Sequence, residues 1–130
     1  MNFPIVSIII VNFNVKEFLI QCIDSIHQSD FLGNIEIIVI DNHSFDGSQK
    51  ILKKRFPNIK LIENQENIGF GSAVNQGTEL ASGEYLFVLN PDTIIQEDTI
   101  SVLVNYLMNH PEVGMVGPKI INSDGKLQPA

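Results

Sequence analysis

The stretch IEIIVID, residues 35–41, is aliphatic except for Glu36 and the closing Asp41. A strand with one wet face alternates apolar and polar side chains. Ile37 to Ile40 do not alternate, which suits a strand buried on both faces, and β-branched residues favour that conformation. Burial on both faces is the mark of a parallel sheet covered by helices on each side. Runs of the same kind lie outward along the chain: PIVSIIIV (4–11), the shorter IKLIEN (59–64), EYLFVLN (84–90) and, interrupted by Gly117-Pro118, VGMVGPKII (113–121).

Helical patterns fill the intervals. Val15, Phe18, Leu19, Cys22, Ile23 and Ile26 fall on one helix face, with Asn14 as the expected N-cap. Asp46 or Ser44 is expected to cap a second helix running to about Phe56 and stopped by Pro57-Asn58. Phe70, Ala73, Val74, Gly77, Leu80 and Ala81 predict a third helix, with Gly83 just beyond it in a left-handed conformation. Ile100, Leu103, Val104, Leu107 and Met108 predict a fourth, closed by His110-Pro111. The resulting order, βαβαβαβαβ, implies an α/β fold with a mostly parallel sheet, helices on both faces and right-handed crossovers.

The 130 residues suit one domain, and 44% hydrophobic against 18% charged residues favours folding over disorder. A net charge of −7 argues against nucleic acid as a partner, though not against one nucleotide held by a metal and backbone N–H groups. The single cysteine, Cys22, excludes an internal disulfide and fits a reducing compartment; its place on a helix face assigns it to the core. The start lacks a basic signal-peptide region, and no apolar run reaches the ~20 residues needed to span a bilayer. A cytoplasmic protein is expected, with peripheral contact at the inner face of the membrane left open. SDGKLQPA at the end is a turn followed by nothing that closes a fold, so a fragment of a longer enzyme is expected.

Open parallel sheets bind ligands at the carboxyl ends of their strands. Here those ends are polar: Asn12, Phe13 and Asn14; Asp41, Asn42, His43 and Ser44; Glu63 and Asn64, then Asn67 and Gly69; Asn90 and Asp92. Asp41 can accept hydrogen bonds from a nucleobase or a ribose, or can serve a turn. Asp92 with Asn90 across a rigid proline can hold a divalent metal beside a diphosphate, or can cap a helix. Gly69 and Gly71 open a helix where backbone can approach a phosphate, yet they do not complete a dinucleotide fingerprint. The three histidines form no zinc signature. Phe13 suits either a stacked base or the core.

VSIIIVNFN, IEIIVIDNHSFDGS, NIGFGSAVNQG and GEYLFVLNPDT, in that order, closely resemble family 2 glycosyltransferases, and in particular a rhamnosyltransferase-like branch with an LNPDT metal motif. The resemblance runs from about Pro4 to Gln128. It implies a GT-A fold, a Rossmann-like donor-binding sheet, and inverting transfer of a sugar from a nucleotide diphosphate to a hydroxyl of a glycan or lipid-linked acceptor, as in cell-surface polysaccharide synthesis. By that resemblance Asn12 and its neighbours Val11 and Phe13 lie against the base, and Asp41 reads it. Asn67 and Gly69 line the ribose and sugar side. Asp92 binds the divalent metal, Mn2+ or Mg2+, and Asn90 replaces the motif's first aspartate. The general base and acceptor-binding half are expected beyond residue 130, so no catalytic residue falls in this chain, and self-association through an uncovered apolar patch is expected. The competing reading is a non-catalytic nucleotide- or ligand-binding regulatory module on a doubly wound scaffold. A receiver domain would want an acidic pair where Asn12 and Asn14 stand. A nucleotidyltransferase would want a basic glycine-rich loop where NFNVKEF stands.

Overall fold

The computed structural model describes residues 5–129. Pro4, expected at the head of the first strand, lies outside them. Four strands, β1 (Ile5–Asn12), β2 (Asn34–Asp41), β3 (Lys60–Glu63) and β4 (Tyr85–Val88), form one sheet in the order β3-β2-β1-β4, and every pairing is parallel. The helices are α1 (Lys16–His27), α2 (Ser48–Arg55), α3 (Phe70–Leu80) and α4 (Thr99–Asn109).

The side chains divide with a period of two. Ile8 and Ile10 of β1 and Ile37 and Val39 of β2 join Leu19, Cys22, Ile23 and Ile26 of α1, Leu52 of α2, and Ile100 and Val104 of α4 in one core. Ile38 and Ile40 meet Ala73 of α3 on the opposite face. Each such aliphatic side chain contributes about 1.5–3 kcal/mol when fully buried, so the doubly buried β1–β2 pair is the centre of stability. From β1 to β3 the chain steps one way across the sheet with α1 and α2 on one face. It then reverses to β4 with α3 on the other. Reversing both direction and face preserves the crossover hand, which is why α3 is segregated. The strand order thus reverses between β1 and β4, the place where such sheets open a crevice.

Two glycines fit these layers together. A Cβ on Gly77 of α3 would lie 2.7 Å from Ile9 Cγ2, so the helix sits directly on β1. A Cβ on Gly83 would lie 2.7 Å from Ser7 N and 2.8 Å from Ile5 O.

Several expectations are corrected. Gly83 is not a left-handed helix terminator; α3 ends in an extended Ala81, and glycine is needed at 83 because the chain presses on β1 backbone. Asn14 does not cap α1. It takes a positive φ of 53°, Val15 is the N-cap residue, and Asp46 accepts from Lys16 N at 3.0 Å instead. The N-cap position of α2 is Gly47, not Asp46 or Ser44. The stretch 113–121 is not a strand: Gly117-Pro118 breaks its pairing potential, and it keeps a single antiparallel bridge, Ile121 to Leu127. Phe18, Phe70 and Met108, placed on apolar helix faces, are exposed.

Candidate nucleotide and metal site

Because all strands are parallel, their carboxyl ends share one rim. Asn12 lies opposite Asp41 in the β1–β2 register, and Asp41 lies opposite Glu63. Asp92 follows β4 on the other side of β1. Two strand spacings, about 10 Å, separate β2 from β4, so the strands that lead to the two aspartates flank β1.

The β1 and β2 loops are stitched to each other. Asn12 Nδ2 donates to Asp41 Oδ1 at 2.8 Å and to Ser44 Oγ at 3.3 Å. Asn14 N donates to Ser44 Oγ at 2.9 Å, and Asn14 Oδ1 accepts from Phe45 N at 2.9 Å. Asn14 and His43 both hold positive φ, 53° and 70°, a local strain that these bonds maintain. Asp46 closes the seam by accepting from Lys16 N and Ser48 N, both at 3.0 Å. Burial raises the Asp46 carboxyl, but the donors from Ser48 and Lys16 outweigh it and hold the group below the usual carboxylate range.

Asp41 is fully buried and hydrogen-bonded at both oxygens. Besides Asn12, its donors are Ser44 N at 2.9 Å and Gln49 Nε2 at 2.6 Å, both on Oδ2. In this arrangement no Asp41 oxygen faces solvent, so direct base reading needs one of these donors to leave. Asn12 Oδ1, by contrast, is buried without a partner among the described residues. Its orientation is dictated by Asp41, because a flipped amide would set oxygen against oxygen.

A second network supports the β3–α3 side of the rim. Asn42 Nδ2 donates to Gly69 O at 3.2 Å, and Asn64 Nδ2 donates to Asn42 Oδ1 at 3.0 Å. Asn64 and Gln76 exchange reciprocal amide bonds of 2.9 Å. Gly69 sits at φ 86°, ψ 169°, a region open essentially to glycine alone, and its N–H is held by Asn67 Oδ1 at 2.9 Å. Asn67 and Gly69 are exposed at the start of α3.

The segment after β4 turns back on itself. Asn90 O accepts from Thr93 N at 3.2 Å and Thr93 Oγ1 at 2.6 Å, and the Cys22 thiol lies beneath it at 3.8 Å. Cys22 is core, as its helix position predicts. Burial holds its thiol up at about 11; the Thr93 hydroxyl pulls against that rise and the nearby Asp92 charge adds to it. Asn90 and Asp92 are exposed, and no ion pair among the described residues involves Asp92. An open carboxylate on a tied-down turn fits a hard divalent cation completed by phosphate oxygens and water. No group of three or more His, Cys, Asp or Glu side chains gathers among the described residues, so the protein alone does not build a full cage. Phe13, 43% exposed, and Phe45, 81% exposed, stand at the rim with ring centroids 6.1 Å apart, edge to face. Phe13 is therefore rim rather than core.

Sequence reading did not single out Gln49 or Gln76. Neither follows a strand; both reach back to the rim from a helix, and their spacing from Asp41 and Asn64 carries no motif.

A family model described as Glycosyl transferase family 2 matches residues 7–129. The minor teichoic acid biosynthesis protein GgaB of Bacillus subtilis is 31% identical over 125 residues, covering 92% of this chain and 14% of that protein. An N-acetylglucosaminyl-diphospho-decaprenol L-rhamnosyltransferase of Mycobacterium tuberculosis is 32% identical over 107 residues, covering 74% of this chain and 35% of its own length. The chain thus spans about a third or less of these relatives. Among solved structures, the mannosyltransferase PcManGT from Pyrobaculum calidifontis, in complex with GDP-Man and Mn2+, superposes with a TM-score of 0.74 at 25% identity, over 80% of this chain and 32% of that one. TarS 1-349 of S. aureus in complex with UDP-GlcNAc shares the fold, with a TM-score of 0.74 at 24% identity over 85% of this chain and 32% of that one. These neighbours have the GT-A architecture.

Proposed function

Because the chain belongs to glycosyl transferase family 2, we propose that residues 1–130 form the donor-binding part of an inverting glycosyltransferase that moves a hexosyl or rhamnosyl group from a nucleotide diphosphate to a hydroxyl of a glycan or lipid-linked acceptor. What supports this reading is that Asn12, Asn42, Asn64, Gly69, Asn90 and Asp92 all follow the carboxyl ends of parallel strands, on both sides of the β1/β4 reversal. The reaction belongs to polysaccharide synthesis, at the cytoplasmic side of a membrane. None of the described helices is long and apolar enough to cross one.

This reading gives each residue a part. Val11, Asn12 and Phe13 form the floor and edge against which the base lies, with the exposed Phe13 ring as its stacking surface. Asp41 anchors the loop under the base. Asn67 and Gly69 present backbone to the ribose and sugar. Asp92 holds Mn2+ or Mg2+, with the Asn90 side chain beside it. When bound, such a cation neutralises charge on the diphosphate leaving group. The base that deprotonates the acceptor is assigned to sequence outside this segment.

Isothermal titration with UDP-, dTDP- and GDP-sugars, with and without Mn2+, tests the reading. One of them binds, and Asp92→Asn weakens the Mn2+-dependent binding by about tenfold or more while the melting temperature holds, because Asp92 forms no ion pair among the described residues. Mn2+ binding followed by electron paramagnetic resonance gives a readout independent of turnover. Failure of every sugar nucleotide to bind would overturn the assignment.

A further inference from the structure

The three donors on Asp41 are not equivalent. Asn12 Nδ2 comes from a fully buried side chain, and Ser44 N from a buried loop residue. Gln49 Nε2 comes from a half-buried side chain on the first turn of α2. Of the three donor residues it is the most exposed to solvent. Its amide nitrogen is shared between Asp41 Oδ2 at 2.6 Å and Ser44 O at 2.8 Å, so both of its hydrogens are used.

A glutamine amide N–H and the ring N–H of uracil, thymine or guanine are donors of one kind, each on a nitrogen next to a carbonyl. We propose that Gln49 is a displaceable cap on Asp41. Resting on the nucleotide-site reading above, a base that carries a ring N–H takes the place of Gln49 on Asp41 Oδ2. A base that presents a ring acceptor there does not. A buried carboxylate cannot be left short of donors without a penalty, so the empty site keeps a stand-in, and the base must displace it. Gln49 thereby sets how strongly the rim discriminates between bases, and reconciles the burial of Asp41 with a part in reading them.

The test measures binding of UDP, dTDP, GDP and CDP, each with Mn2+, to the wild-type protein, Gln49→Met and Gln49→Ala. Methionine keeps length and helix propensity without a donor; alanine confirms the effect if methionine packs into the gap. Cytosine supplies the control, because its N3 is an acceptor and its only donor, the exocyclic amine, lies one position off the ring N–H. Whichever ring N–H nucleotides bind are expected to bind about three- to tenfold tighter to both variants, with CDP moving less than about twofold. Unchanged or weaker binding in both variants, or an equal gain for CDP, would overturn the cap and leave the nucleotide site standing. If the wild-type protein binds none of the four, the nucleotide site falls and the cap with it.

Discussion

Asn12 is the residue on which the rim turns. It is wholly buried at the end of β1, and its amide donates to Asp41 and Ser44. A carboxylate at this position, as a receiver domain would want, would face Asp41 at hydrogen-bonding distance with no cation among the described residues paired to either. Asn12→Asp is therefore expected to destabilise by about 3 kcal/mol or more at neutral pH, since it deletes a donor to a buried charge and adds a like charge. Asn12→Ala, which only deletes the donor, should cost about 1–3 kcal/mol. Urea unfolding of the two variants checks the order; an aspartate as well tolerated as alanine would contradict the geometry. The sequence shows polar residues at 12, 41 and 44, but not that they satisfy one another. That pairing depends on the β1–β2 register, which places Asn12 opposite Asp41, and no local pattern encodes it.

Elements explain what was legible and what was not. The strands with runs of Ile and Val were readable because burial on both faces leaves few polar positions, and β1 and β2 appear where IVSIIIV and IEIIVID put them. The stretch 113–121 is also rich in apolar residues, but its Gly-Pro break leaves it with the Ile121–Leu127 bridge alone among the described residues. Caps failed for a related reason: Asn14 Oδ1 is spent on Phe45 N across the β1–β2 seam, and Asp46 divides its oxygens between Lys16 N there and Ser48 N at the start of α2. The two sheet edges also differ. β3 carries Lys60 and Glu63, charges that discourage pairing with another chain. β4 carries Leu86 and Val88, 49% and 44% exposed, on the face that α3 alone serves. Val88→Lys is accordingly expected to lower concentration-dependent association of this chain in light scattering, with a stability change within about 1 kcal/mol. Equal association in both forms would place the contact elsewhere.

Across the whole molecule the two rims of the sheet carry separate polar networks. Glu36, on β2 well away from the ligand rim, gathers Ser7 Oγ at 2.6 Å, Lys60 Nζ, Ser82 N at 2.9 Å and Ser82 Oγ at 3.1 Å, while Gly83 N donates to Ser7 Oγ at 2.8 Å. This cluster ties β1, β2, β3 and the α3–β4 turn together. Its side chain is 13% exposed. Burial raises the Glu36 carboxyl, but Lys60, Ser7 and Ser82 outweigh that and hold it at about 2, below its usual 4.5. A carboxyl with a depressed folded pKa adds stability that is fully present above about pH 4.5 and is lost as pH falls toward 2. The melting temperature of the wild-type protein should therefore drop across that window. Glu36→Gln should melt lower at pH 7 and show a flatter drop between pH 4.5 and 2, because the group that titrates is gone. Nucleotide affinity at neutral pH should be unchanged in Glu36→Gln, while Asp92→Asn should show the reverse, weakened metal-dependent binding at an unaltered melting temperature. A Glu36 variant that retains the full acid sensitivity would show that another carboxyl carries it, with Asp46, whose carboxyl is also held low, the next to replace.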